Sequence, residues 1–284
     1  MKIPKRIQPL VEDGLVDEVL SRLMSGKEAD IFVVRCGNEV RCAKVYKEAA
    51  QRSFKKAAQY TEGRKVKNSR RARAMEKGSK FGRKEQEKIW QNAEVDALYL
   101  LAEADVRVPE PYGCFDGVLL MELVTDAEGG VAPRLGDVTM TEEEAIRNFA
   151  IVIQDVVRML CVGMVHGDLS EFNVLLDEYG PVIIDLPQAV NASANNNAQA
   201  MLERDVQNMV NYFSQFDPYL KDSRFGKEIW KLYEDGDLKP DTLLTGEFEE
   251  DTKTADVDDV MIQIKAAFDE EQARLERLRE NEAG

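Results

Sequence analysis

An α+β fold in two lobes is what this sequence predicts, on three observations. Short apolar runs separated by turn residues cluster in the N-terminal part. Long amphipathic patterns dominate beyond residue 141. Between them, a buried-looking strand at 118–121 runs into Glu122-Leu123-Val124, which reads as a connector between the two parts. A chain of 284 residues can bury a full core, as one two-lobed domain or as two small ones.

The elements follow in order. From residue 7 to 24, Leu10, Val11, Leu15, Val16, Val19, Leu20 and Leu23 recur at roughly helical spacing. This predicts an N-terminal helix as a segment of its own, 1–24, broken near Gly14. Residues 31–34 and 40–46 flank the turn Cys36-Gly37-Asn38-Glu39 and predict a β-hairpin. The polar run Ser25-Gly26-Lys27-Glu28-Ala29-Asp30 precedes it. A loop and hairpin of this kind can close over phosphates with backbone N–H groups, although no Walker string is present.

Lys44 lies between apolar neighbours in the second strand. It is either an exposed strand residue or a lysine aimed into a cleft and paired with a carboxylate. Glu94 is the natural partner. A helix is predicted over 85–104, with Ala93, Ala97, Leu98, Leu101 and Ala102 on its inner face, and Glu94 falls beside Ala97 and Leu98. A carboxylate there is costly unless paired.

Pro109-Glu110-Pro111 stops the helix and starts an extended stretch. Thr141-Glu142-Glu143-Glu144 is a capping box. The helix it opens runs to about residue 163, with Ile146, Phe149, Ile153, Val157 and Leu160 on one face. A loop at 191–197 precedes another helix, marked by Leu202, Val206, Met209, Val210 and Phe213. An amphipathic helix is predicted over 254–279.

The run Val165-His166-Gly167-Asp168-Leu169-Ser170-Glu171-Phe172-Asn173, followed by Val182-Ile183-Ile184-Asp185, carries the chemistry. Residues 174–176 and 182–184 read as a hairpin. Asn173 then begins one strand and Asp185 ends its partner, so the two lie side by side. Both offer hard oxygens to Mg²⁺, which is held by few protein ligands plus phosphates and water. Asp168 can accept a proton from an acceptor hydroxyl. Phosphoryl transfer needs little else beyond alignment and neutralised charge.

These strings resemble the RIO family of atypical serine/threonine protein kinases. The matching residues are Ser25-Gly26-Lys27-Glu28-Ala29-Asp30-Ile31, Ala43-Lys44-Val45-Tyr46-Lys47, the run from Val165 to Asn173, and Ile183-Ile184-Asp185-Leu186-Pro187-Gln188. The most specific parts are Ser170-Glu171-Phe172-Asn173 after the aspartate, and Pro187-Gln188 where ordinary kinases have Phe-Gly. The resemblance covers roughly residues 10–215. It implies a trimmed protein-kinase-like fold of RIO type, a β-rich N-lobe and a helical C-lobe with ATP between them. It also implies a non-specific serine/threonine protein kinase with autophosphorylation, or ATP hydrolysis through a phosphorylated Asp185.

Residue by residue, the resemblance implies that Lys44 binds the α- and β-phosphates and pairs with Glu94. Asp168 is the catalytic base, and Asn173 and Asp185 hold Mg²⁺, with Mn²⁺ as a substitute. Ser25, Gly26, Lys27, Glu28 and Ala29 form the phosphate loop, and Met121, Glu122 and Leu123 the adenine connector. The N-lobe is expected over 25–123, with a basic flexible loop at about 61–84. The C-lobe is expected over 124–235 and an acidic extension over 236–284.

Net charge is -15 but segregated, with a basic stretch over 52–88 and acidic residues from 234 onward. The basic segment could contact a ribosomal or RNA partner, although so acidic a chain disfavours simple phosphate-backbone binding. No apolar stretch is long enough for a membrane span and none reads as a signal peptide, so no membrane partner is expected. Cys36, Cys42, Cys114 and Cys161 lack metal-site spacing, although Cys36 and Cys42 could face each other across the hairpin. A reduced, cytoplasmic protein is the simpler expectation. Two alternatives stand beside the kinase reading. One is a small-molecule phosphotransferase of aminoglycoside or choline type, which usually carries other residues between the aspartate and asparagine. The other is an ATP-gated binding switch acting on RNA or a ribonucleoprotein.

Overall fold

Alternation along the strands organises the N-terminal half. Helix α1 (Gln8–Glu12) leads into β1 (Glu18–Ser25), β2 (Ala29–Cys36) and β3 (Glu39–Tyr46). Helix α2 covers 93–103, and β4 (Pro111–Phe115) and β5 (Val118–Glu122) follow. The five strands form one antiparallel sheet in the order β1-β2-β3-β5-β4. The computed structural model describes residues 3–26, 29–47 and 93–249.

Successive strand residues face opposite sides of a sheet. In β3, Ala43 and Val45 join Val19, Phe32, Val34, Val118 and Leu120 in a core closed by Ile7 and Leu10. Lys44 and Tyr46 therefore turn to the other side, where Ala97, Leu98 and Leu101 of α2 pack. A single-residue alternation thus separates structural side chains from candidate functional ones.

The N-terminal helix expected over 1–24 is corrected. Helix α1 ends at Glu12, and Gly14 takes a φ of 73°. The N–H groups of Leu15 and Val16 both turn back to the Leu10 carbonyl. From Glu18 the chain pairs with β2. Seven apolar residues fit a helical period loosely, but pairing with β2 satisfies the backbone groups of this segment.

The rest is α3 (Glu142–Cys161), β6 (Met164–Val165), β7 (Val174–Asp177), β8 (Gly180–Ile183), β9 (Val190–Asn191), α4 (Ala198–Phe213) and α5 (Phe225–Asp235). The capping box forms: the Thr141 hydroxyl accepts from Glu144 N, and Glu144 accepts from Thr141 N. Phe149, Val152, Ile153, Val156 and Leu160 of α3 share one core with Leu202, Val206, Met209 and Phe213 of α4. Strands β7 and β8 pair as the expected hairpin, and β6 pairs with β9. Asp177 Oδ1 accepts from the N–H groups of Tyr179 and Gly180, which closes the β7–β8 turn.

Past residue 236, the expected boundary, the described chain continues in the first unit to Glu247. Glu228 of α5 accepts from Thr245 N and Gly246 N, and Gly246 O accepts from Arg224 N. These bonds hold the segment after α5 to the first unit. Cys42 lies opposite Val33 and Cys36 opposite Glu39, so the two cysteines do not face each other, and all four thiols are free. The expected basic loop at 61–84, the first part of the helix expected over 85–104, and the helix expected over 254–279 lie outside the described residues.

Candidate active site

The sheet, the 121–124 segment and the β7–β8 hairpin enclose a cleft of about 560 Å³. Gly26, Ala29, Lys44, Met121, Glu122, Leu123, Asn173 and Asp185 line it. Asp168 stands at its rim, where Gln188, another lining residue, approaches its Oδ2 at 3.5 Å. Ser25 does not line the cleft; its Oγ accepts from Lys47 at 3.1 Å. Lys27 and Glu28 lie outside the described residues.

Lys44 Nζ donates to Glu94 Oε1 at 2.5 Å and to Asp185 Oδ1 at 2.9 Å. The second Glu94 oxygen accepts from Tyr46 Oη at 2.6 Å. Glu94 is 4% exposed, so both its oxygens need partners, and both have one. Burial lowers the proton affinity of the Lys44 ammonium, but Glu94 and Asp185 outweigh it and shift its pKa up. The ammonium in turn holds Asp185 below the ordinary carboxylate range.

The aspartate side is built from the hairpin and the loop after β6. Val174 pairs with Ile183, and Ile184 N donates to Asn173 O at 3.0 Å, so Asn173 and Asp185 flank the ladder's end. Asn173 Nδ2 donates to Asp168 O at 2.8 Å. Asp185 has a φ of 68°, a left-handed conformation that costs a non-glycine residue free energy.

His166 is buried behind the loop. Its Nδ1 accepts from Asp168 N at 3.2 Å, which puts the ring proton on Nε2, 3.1 Å from Ile184 O. The lone histidine thereby ties the loop to the hairpin rather than facing the cleft.

Arg204 and Asp205 lie on α4, the helix expected after the 191–197 loop. One carboxylate oxygen accepts from Gly167 N at 2.7 Å and the other from Leu169 N at 3.2 Å. Arg204 donates to Gly167 O, and Asn208 to Leu169 O. Helix α4 therefore grips the backbone on both sides of Asp168. Burial raises the Asp205 pKa to about 6, against the pull of His166, the two N–H groups and Arg204. A signal existed: residue 205 shares a helical face with Leu202 and Met209, and an acid there needs partners.

The family model of the RIO domain matches residues 30–224. The chain is 33% identical over 209 residues to the RIO-type serine/threonine-protein kinase Rio1 of Haloferax volcanii, covering 73% of this chain and 67% of that one. It is 31% identical over 202 residues to the human serine/threonine-protein kinase RIO1, covering 70% of this chain but 34% of that one. Among solved structures, the Rio2 kinase of Chaetomium thermophilum, as its ADP/Mg²⁺-phosphoaspartate complex, superposes with a TM-score of 0.57. That match is 23% identical and covers 80% of this chain and 64% of the other. The chain belongs to the RIO family, whose members named here are serine/threonine kinases, and its fold is the two-lobed α+β kinase fold.

Proposed function

We propose that this protein transfers the γ-phosphate of ATP to serine or threonine hydroxyls of proteins, itself included. The observation that carries the reading is the convergence of Lys44, Glu94 and Asp185 on one buried ammonium inside the cleft. That convergence joins three segments far apart in sequence, and a merely structural ion pair would not need a half-exposed third member. Lys44 orients the α- and β-phosphates, and Met121, Glu122 and Leu123 line the adenine end. Gly26 and Ala29 border the phosphates, with Ser25 behind them.

Asn173 and Asp185 fit Mg²⁺ on chemical grounds: an amide oxygen and a carboxylate, side by side, beside space for phosphates and water. Two protein ligands leave the remaining positions of the ion to phosphate oxygens and water. The ion supplies charge neutralisation of the phosphates. Mn²⁺ satisfies the same oxygen donors. In the transfer, the acceptor hydroxyl oxygen forms a bond to the γ-phosphorus, ADP leaves, and the hydroxyl proton passes to Asp168. His166 and Asp205 hold Asp168 in place and take no proton in this scheme.

A second reading rests on Asp185 itself. It is half-exposed, bonded to Lys44, and held in a left-handed conformation. In this reading its carboxylate oxygen attacks the γ-phosphorus, ADP leaves, and water later cleaves the acyl phosphate. The Chaetomium thermophilum relative was solved with a phosphoaspartate, which supports the chemistry. Membership of the RIO family weighs against a small-molecule acceptor. An RNA or ribonucleoprotein partner for the basic segment and a cytoplasmic location are proposals from composition alone.

Labelled ATP incubated with the protein alone tests both readings. Label on the protein that survives acid and hydroxylamine but not alkali marks a serine or threonine ester. Label released by hydroxylamine marks Asp185. The Asp168→Ala variant should lose ester formation by about 10²- to 10⁴-fold, the contribution of a general base, while ATP binding survives. Wild-type ester formation by that variant would contradict the assignment of Asp168.

A further inference from the structure

The cleft has an electrostatic imbalance. Among its described lining residues, Lys44 and Arg134 are the two cations, against Glu122, Asp137 and Asp185. Lys44 is already engaged by Glu94 and Asp185. A nucleoside triphosphate brings several negative charges, of which Mg²⁺ and one doubly engaged ammonium balance only part. Arg134 is the remaining cation. Its guanidinium makes no ion pair among the described residues, and its hydrogen-bond contact is the Met24 sulfur at 3.1 Å, a weak acceptor.

The backbone around Arg134 is held firmly. Leu176 N donates to Pro133 O at 2.9 Å, and Arg134 itself bridges to Leu175 of β7. Leu135 is fully buried, and its carbonyl accepts from Tyr212 Oη at 2.5 Å. Gly136 N donates to Glu171 O at 3.1 Å, in the loop that follows Asp168. Arg134 is thus anchored to the hairpin that carries Asn173 and Asp185, while its side chain reaches to β1 immediately before Ser25-Gly26.

We propose that Arg134 is a nucleotide-positioning residue whose guanidinium leaves Met24 and binds the phosphates of the bound nucleotide. The inference rests on the cleft being the ATP site. Exchanging a thioether for phosphate oxygens turns a weak contact into a charge-assisted one, and a planar guanidinium suits phosphate geometry. Because the same side chain touches β1 at Met24, its transfer to phosphate would also free the strand end that leads into Ser25-Gly26.

The test is equilibrium binding of ATP, ADP and adenosine, each with Mg²⁺, to the wild type, Arg134→Ala and Arg134→Lys. The expected result for Arg134→Ala is a loss of about 10- to 100-fold for ATP and ADP, the worth of one charge-assisted hydrogen bond. Adenosine binding should be unchanged, and Arg134→Lys should recover part of the ATP affinity. Equal losses for adenosine and ATP would make Arg134 a packing residue and overturn the proposal. Unchanged ATP binding in Arg134→Ala would overturn it too. A wild type that binds none of the three ligands would instead remove the ATP-site reading on which the proposal rests.

Discussion

The lysine side and the aspartate side of the cleft share one hydrogen-bonded ammonium but are built on opposite plans. Lys44 and Glu94 have side chains 8% and 5% exposed, and Tyr46 closes the second Glu94 oxygen. Asp185, bonded to the same Nζ, is 49% exposed and conformationally strained. Asp168 is exposed at the rim, its N–H on His166 and its carbonyl accepting from Asn173. The first side is finished before any ligand arrives. The second is held in place from behind and left open in front. In the proposed scheme the buried charges orient the nucleotide, and the exposed carboxylates of Asp168 and Asp185 take the proton and the metal.

The largest way to break this contrast is Glu94→Ala. It leaves Lys44 buried with Asp185 as its remaining partner and strips the Tyr46 hydroxyl of its acceptor. Removing one member of a buried ion pair costs on the order of 3 kcal/mol. Chemical denaturation should show this loss together with a sharp fall in ATP binding. A variant as stable as the wild type would mean that the lysine side is not a preformed unit.

Asp205→Asn is a smaller and sharper probe, because it alters the grip on the loop without touching the cleft. One of its two backbone N–H partners loses its acceptor, which costs about 1–3 kcal/mol. The pH dependence carries the sign. The Asp205 pKa is raised from 3.8 to about 6, so the folded state favours the protonated acid. This contribution to stability is fully present below the unfolded value and is lost as pH rises through about 6. Asp205→Asn should lack that part of the pH dependence. An unchanged slope between about pH 4 and 6 would show that the group does not titrate there.

Legibility in the sequence follows the same division. The β2–β3 and β7–β8 hairpins were readable because apolar runs flank turn residues. Helix α3 was readable from its capping box. Lys44 and Glu94 were paired from helical register and the cost of an unpaired acid, with no contact information. Strand β1 was not readable: its apolar residues fit a helix as well, and only pairing with β2 decides. The roles of Asp205 and Arg134 were not readable for a related reason. Their partners lie far along the chain, Asp205 with Gly167 and Arg134 with Met24. The left-handed conformation of Asp185 suits an aspartate better than most residues, but residue type alone does not locate it.

In the proposed scheme the open aspartate side completes a magnesium–nucleotide site. The direct measurement is ATP affinity with and without Mg²⁺, for the wild type and Asp185→Ala. Mg²⁺ should strengthen ATP binding to the wild type, and Asp185→Ala should lose this gain. A variant that keeps the full magnesium-dependent gain would overturn the assignment of Asp185.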